Sequence, residues 1–204
     1  MEKEGTIKTL AEQIKICKRC DLYKKATHSV PGEGNAEAKI VFIGEAPGLH
    51  EDELGRPFVG NAGKYLNLLL SKIGLSRNQV FITNVVKHRP PENRDPALSE
   101  IANCSIWLEE QLKAINPKVI VTLGRYSLAR YLPGAKISVV HGKPFQDQDR
   151  VILPMYHPAA ALRSNTTARE LEEDFVKNQG LLSNPDEATK LAEHSGEGGQ
   201  GSLF

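Results

Sequence analysis

Three cysteines and one histidine carry the first chemistry that can be read in this chain. Cys17 and Cys20 bracket a C-x-x-C, Cys17-Lys18-Arg19-Cys20, while Cys104 lies far along the sequence and follows His88 in the phrase Asn84-Val85-Val86-Lys87-His88-Arg89. Three thiols are odd in number and too few for a disulfide framework. Three thiolates and an imidazole can instead close a metal or iron–sulfur site that ties the N-terminal segment to the middle of the chain. Ligand chemistry leaves structural zinc and an iron–sulfur cluster both open, as well as a reading in which His88 is an inert neighbour of three cysteines. Such a staple holds the fold together and binds no substrate of its own.

The elements that must position these groups can be read from apolar periodicity. Residues 6–16 carry Ile7, Leu10 and Ile14 at helical spacing, and the C-x-x-C closes that helix. Lys39–Gly44 is a short, continuous apolar run ending in glycine, the pattern of a strand buried on both faces of a parallel sheet. Further strands are expected at Val80–Val86, Lys118–Gly124 and Val151–Pro154. Helices are expected over 60–73, 99–115 with Ser99 as N-cap, 126–131 and 169–177. Strands alternating with helices define an α/β class: a three-layer α/β/α arrangement around a central, mostly parallel four-stranded sheet. Ligands in such sheets bind beyond the carboxyl ends of the strands. Three of the four strands there deliver Gly44-Glu45-Ala46-Pro47-Gly48, Asn84 and His157.

Length and composition set the outer bounds. The 204 residues, 40% apolar and 25% charged, fit one domain over 1–182 followed by a polar tail over 183–204, in which 183–199 reads as a flexible linker. A net charge of +1 does not announce a nucleic-acid partner, although a local basic face is compatible with it. No run of eighteen apolar residues and no apolar segment behind the N-terminus is present, so neither a membrane span nor an export signal is expected. With few cysteines, this points to a cytoplasmic, nucleoid-associated protein, expected as a monomer.

Taken together these motifs resemble the uracil-DNA glycosylase superfamily, and within it the iron–sulfur (family 4) branch. The resemblance runs from about Leu10 to Phe175. It rests on Cys17-x-x-Cys20, Gly44-Glu45-Ala46-Pro47-Gly48, Glu51-Asp52-x-x-Gly55-Arg56-Pro57-Phe58-Val59-Gly60, Thr83-Asn84-Val85-Val86-Lys87, Arg89-Pro90-Pro91-x-Asn93-Arg94, Pro117–Gly124 and His157-Pro158-x-x-x-Leu162-Arg163. One position departs from it: family 4 members usually carry cysteine where this chain has His88, and the covalently trapping subfamily is similar in carrying histidine there. That subfamily also holds a nucleophilic histidine on an inserted loop, and none occurs between Arg89 and Asp95. Turnover is therefore expected rather than covalent capture, the alternative being a protein of the same fold that binds uracil-DNA without turnover.

The resemblance implies a [4Fe–4S] cluster on Cys17, Cys20, His88 and Cys104, with zinc the alternative, and a role for each strand-end residue. Asn84 would read uracil, because one amide offers both the donor that O4 needs and the acceptor that N3–H needs. Phe58 would stack on the flipped base. His157 would donate to O2 as negative charge grows on the departing uracil. Gly44, Glu45 and Ala46 would line the uracil pocket. Alanine at 46 cannot place a water with its side chain; by the resemblance the candidate acid is Glu51, although its run Glu51-Asp52-Glu53 also reads as solvated surface. Gly48, Leu162 and Arg163 would meet DNA, Leu162 as an apolar wedge and Arg163 at phosphate, with Arg56, Lys87, Arg89 and Arg94 extending the footprint. The chain ends in Gln200-Gly201-Ser202-Leu203-Phe204, which resembles a shortened sliding-clamp binding peptide in which Gln200, Leu203 and Phe204 would dock.

Overall fold

A computed structural model describes residues 2–187. Its centre is a six-stranded sheet of β1 (Glu33–Gly34), β2 (Ile40–Gly44), β3 (Phe81–Asn84), β4 (Val119–Leu123), β5 (Phe145–Asp147) and β6 (Arg150–Met155), in the order β1-β3-β2-β4-β6-β5. The inner four are parallel and are the four expected from sequence. The two edge strands are antiparallel additions of two and three residues. They escape sequence reading because so short a segment cannot display an alternation.

Period-two alternation divides the inner strands between two cores. Phe42, Ile82, Val121 and Leu153 face one side, where they pack against α3 (Asn61–Lys72) and α8 (Asn165–Lys177) through Leu66, Leu69, Leu70, Leu171 and Phe175. Val41, Ile43, Phe81, Ile120 and Ile152 face the other, against Leu108, Leu112 and Ile115 of α4 (Leu98–Ile115), on which α1 (Glu2–Lys15) packs. Full burial of a side chain such as Phe42, stacked on Phe175 with ring centroids 6.2 Å apart, contributes about 1.5–3 kcal/mol. Two buried faces require two apolar sets on each strand, which is why these strands read as unbroken apolar runs.

Ser99 is not the cap of α4. Ala97 holds that position, and the Glu100 carboxylate accepts its N–H at 2.7 Å while pairing with Arg94. The third position of a helix can reach back to the N-cap amide, so a carboxylate there outcompetes a serine already inside the first turn. Short helices fill the connections: α2 (Leu49–Leu54), α5 (Arg125–Ala129), α6 (Ile137–Val140), α7 (Pro158–Ala161) and α9 (Gln179–Ser183). A turn at Pro185–Glu187 follows α9, and Asp186 pairs with Lys39 at 3.1 Å. No described helix is long and apolar enough to cross a membrane. Gln200, Leu203 and Phe204 lie outside the described residues.

From β2 the chain passes to β3 on one side and later to β4 on the other. The sheet order therefore reverses beside the carboxyl end of β2, where an open α/β sheet leaves its binding crevice.

Candidate active site

The floor of the crevice is built from two strand ends in register. Gly44 and Asn84 are Cα partners at the ends of β2 and β3. A Cβ on Gly44 would fall on the Asn84 side-chain oxygen and come within 2.6 Å of the Phe58 ring. Glycine at 44 is thus what allows the Asn84 amide and the Phe58 ring to meet above the strand end. Asn84 is 1% exposed, and its Oδ1 is buried with no hydrogen-bond partner. A buried acceptor left unpaired costs about 1–3 kcal/mol. Asn84 lines the cleft, so this cost is one that a ligand N–H can remove.

Phe58 is held in a left-handed conformation, φ 51°. Several contacts impose it. Gly63 of α3 has no side chain, and a Cβ there would overlap the Phe58 carbonyl. Arg77 donates to the carbonyls of Phe58 at 3.0 Å and Pro57 at 2.7 Å and is itself paired with Glu33. Glu51 Oε1 accepts the next two amides, from Val59 at 2.8 Å and Gly60 at 2.9 Å, while its Oε2 accepts from Gly48 at 3.2 Å. Glu51 is therefore no idle surface acid: it laces the loop after β2 to the loop carrying Phe58 and still lines the cleft. Its neighbour Asp52 is buried and accepts the Thr27 and His28 amides, leaving only Glu53 of the acidic run at the surface.

His157 caps α7 at the end of β6. Its Nδ1 accepts the Ala159 N–H at 3.1 Å, which leaves the ring proton on Nε2. The ring stacks on Phe58, with centroids 5.5 Å apart and planes at 24°. Burial pushes its pKa down to about 4, the Glu51 carboxylate opposing and Arg163 reinforcing the shift. At neutral pH it is an uncharged imidazole with one N–H to donate. Across the crevice, burial raises the Glu45 carboxyl above its usual range, opposed by the Tyr126 N–H at 3.2 Å. Glu45 reaches that amide because Gly124, at φ 95°, has no side chain in its way.

These groups surround one cleft of about 350 Å³, lined by Glu45, Ala46, Pro47, Gly48, Glu51, Phe58, Asn84, His157 and Arg163 together with Pro90, Asn93, Arg94 and Asp95 of the loop after β3. That volume suits a single small ligand. Leu162 stands beside it, 52% exposed. Sequence reading gave the 90–95 segment as a motif, and Arg94 as a footprint residue, but did not place it in the pocket wall. Contacts that no local pattern announces set it there: Asn93 sits at φ 55° with its amide oxygen on Arg89 at 2.7 Å, Arg94 forks onto Glu100, and Asp95 pairs with Arg125. Lys87 does not extend a DNA footprint. It is fully buried, its Nζ donating to Thr83 Oγ1 at 2.7 Å, the Asn84 carbonyl at 2.8 Å and Gln111 Oε1 at 2.8 Å. Arg56 is exposed but already paired with Glu33 at 2.7 Å.

The cysteines gather where α1 ends against α4. Burial raises the Cys104 thiol to about 11, Lys87 opposing, and the neighbouring Cys20 and Cys17 add to the rise. Cys20 is raised by burial and, in turn, by Cys17. Amide-type donors already point at two of the sulfurs, Trp107 Nε1 at Cys17 at 3.1 Å and the Lys87 N–H at Cys104 at 3.3 Å. Grouped sulfurs with N–H donors already aimed at two of them suit a soft, thiolate-bound metal centre. His88 lines a second cleft together with Cys17 and the buried, unpartnered hydroxyl of Ser29. Among the described residues no three of these side chains yet converge on a single metal position.

A mostly parallel sheet whose strand ends converge on one small cleft is an α/β ligand-binding architecture, and comparison with known families narrows it. Residues 31–178 match the Uracil DNA glycosylase superfamily, and the chain belongs to it. It is 46% identical to a type-4 uracil-DNA glycosylase of Sulfurisphaera tokodaii, over 88% of this chain and 86% of that protein. It is 44% identical to a type-4 uracil-DNA glycosylase of Saccharolobus solfataricus, over 94% of both. A type-4 uracil-DNA glycosylase of Thermotoga maritima is 42% identical, over 88% of this chain and 96% of that protein.

Proposed function

We propose that this chain is a monofunctional uracil-DNA glycosylase, which hydrolyses the bond between uracil and deoxyribose in DNA and leaves an abasic site for repair. The observation that carries this reading is the unpaired Oδ1 of Asn84, buried in one cleft with Phe58 and a neutral His157. Uracil supplies the missing donor through N3–H, while the amide N–H₂ of Asn84 serves O4. Cytosine presents the reverse pattern and would leave both groups unpaired, a mismatch that can cost ~10⁴-fold in rate.

The base must leave the stack to reach this cleft, at a cost of a few kcal/mol that Leu162, exposed at the rim, offsets by filling the gap. Gly48 and Arg163 meet the backbone. As the glycosidic bond breaks, its electron pair passes to the uracil ring, and the Nε2–H of His157 donates to O2 where that charge collects. Glu51 is the carboxylate we assign to the attacking water. Three of its roughly four lone-pair positions are taken by backbone amides, which fixes the group and leaves one acceptor site on Oε2. Water adds to the sugar carbon, and its proton is taken up on the carboxylate side.

Cys17, Cys20 and Cys104, with His88 as the fourth donor, are the residues that would hold a [4Fe–4S] cluster. Its part is architectural, fastening α1 to α4 and to the turn after β3. The exposed surface around Leu162 and Arg163 is the face offered to uracil-containing DNA.

The deciding experiment measures uracil release from single- and double-stranded uracil-DNA by the purified protein, with Asn84→Ala alongside. Release by the wild type, and its loss in the variant with DNA binding retained, is the expected result. A wild-type protein that releases no uracil from either substrate ends the proposal.

A further inference from the structure

Lys87 is a costly residue to place where it stands. Its side chain is fully buried between β3 and α4, where an apolar residue of the same length would pack without the penalty of desolvating a charge. It is also heavily used. The Nζ donates to three oxygens: Thr83 Oγ1, the Asn84 carbonyl and Gln111 Oε1. Its own amide donates to Cys104 Sγ, and its carbonyl accepts from Val30 at 2.7 Å. Thr83 Oγ1 and Gln111 Nε2 both converge on the Pro31 carbonyl, at 3.0 and 2.7 Å. One ammonium thereby ties the end of β3, helix α4 and the loop at 30–31.

The site depends on that tie at one atom. The peptide of Asn84 is the last of β3, and beyond it the chain leaves the sheet through Val85 and Val86, whose amides reach back to Gly44 and Glu45. The Asn84 carbonyl has the Lys87 ammonium as its donor. An amide side chain that must present its oxygen, unpaired, to an incoming base is only as well aimed as the backbone that carries it. We propose that Lys87 is a positioning residue for base reading: by fixing the Asn84 carbonyl it presets the side-chain amide, and through α4 it joins that setting to the segment bearing Cys104. Lys87 touches neither base nor sugar and acts only through Asn84.

The inference rests on the glycosylase reading, and Lys87→Met tests it by removing the donors while keeping length and stem. The expected result is a loss of about tenfold or more in single-turnover uracil release, the size of one well-placed hydrogen bond to a charged group, and a rise of similar size in the inhibition constant of free uracil. Affinity for undamaged DNA should stay within about twofold, because no contact to the backbone is touched. A merely structural role would lower the active fraction and leave the inhibition constant unchanged, since that constant is read on folded enzyme alone. Wild-type values of both quantities in Lys87→Met overturn the inference. Should Lys87→Met not fold, Gln111→Leu, which deletes one acceptor on α4 outside the cleft, decides: a higher uracil inhibition constant supports the inference and an unchanged one overturns it. Inactivity of the wild type would end the glycosylase reading itself, whereas an active wild type equalled by Lys87→Met ends only this step.

Discussion

At the scale of single residues, the site works by leaving particular atoms unsatisfied or uncharged. Asn84 Oδ1 is buried without a partner, an acceptor that a uracil N3–H fills on the proposed reading, and His157 is neutral with its one N–H pointing away from its own backbone. A donor preset for charge that develops only during reaction is worth roughly 2.7–4 kcal/mol. His157→Ala should therefore lower single-turnover uracil release by about 10²–10³-fold, with affinity for the DNA little changed in a binding titration. The pH profile follows from the depressed pKa. With the folded group titrating near about 4, single-turnover activity should pass through pH 6.5 without a break and fall only as pH approaches that value. Stability is linked in the same direction. The unfolded chain takes up a proton on His157 near the ordinary ~6.5 and the folded chain only near about 4, so the unfolded state binds more protons between them and stability declines as pH falls across that window. A kinetic break near 6.5 that disappears in His157→Ala would contradict this assignment.

At the scale of elements, short helices and tight turns do the aiming. Helix α2 sends three consecutive acids to three destinations: Glu51 to the amides of two loops, Asp52 inward to Thr27 and His28, and Glu53 to solvent. Asp52→Ala removes the buried carboxylate that accepts the Thr27 and His28 amides. It should cost about 1–3 kcal/mol, read as a lower denaturation midpoint at unchanged slope. Helix α3 contributes through the side chain it lacks. Gly63→Ala drives a methyl group into the Phe58 carbonyl, and backbone cannot swing aside as a side-chain tip can. Overpacking of this kind costs about 1–3 kcal/mol, or roughly 2–4 °C in Tm for each kcal/mol in a chain of this size. Because the same shift displaces the Phe58 ring, uracil release should fall by more than the loss of folded protein explains; full activity at a lowered Tm would show that Phe58 is not held by this contact.

At the scale of the whole molecule, the proposed cluster ligands lie where the sheet makes no link. Helix α1 lies against α4 on one face, far in sequence from it, and the three thiols sit at that seam. Cys104→Ser should abolish iron binding and the broad absorption at about 400 nm expected of a cluster, and should lower Tm. A protein that keeps its iron and sulfide after this change would remove Cys104 from the ligand set, and one that binds zinc alone would replace the cluster with a structural ion.

Composition and periodicity by themselves determined the class of this molecule. Four apolar runs of Val, Ile, Leu and Phe alternating with amphipathic stretches allow little besides a parallel sheet covered on both faces, because each run has two sides to bury. The runs also fixed what stands at their ends, so Gly44, Asn84 and His157 are placed at one mouth by sequence alone. Tertiary structure decided everything that depends on which polar group finds which partner. That Glu51 is a brace, Asp52 an anchor and Lys87 a buried hub, rather than surface charges, is set by contacts such as Lys87 with Gln111, 24 residues apart, and Asp52 with Thr27, 25 apart. A local pattern reports how a residue's neighbours repeat, but the cost of burying a charge is met or not met only by atoms that folding brings from elsewhere in the chain.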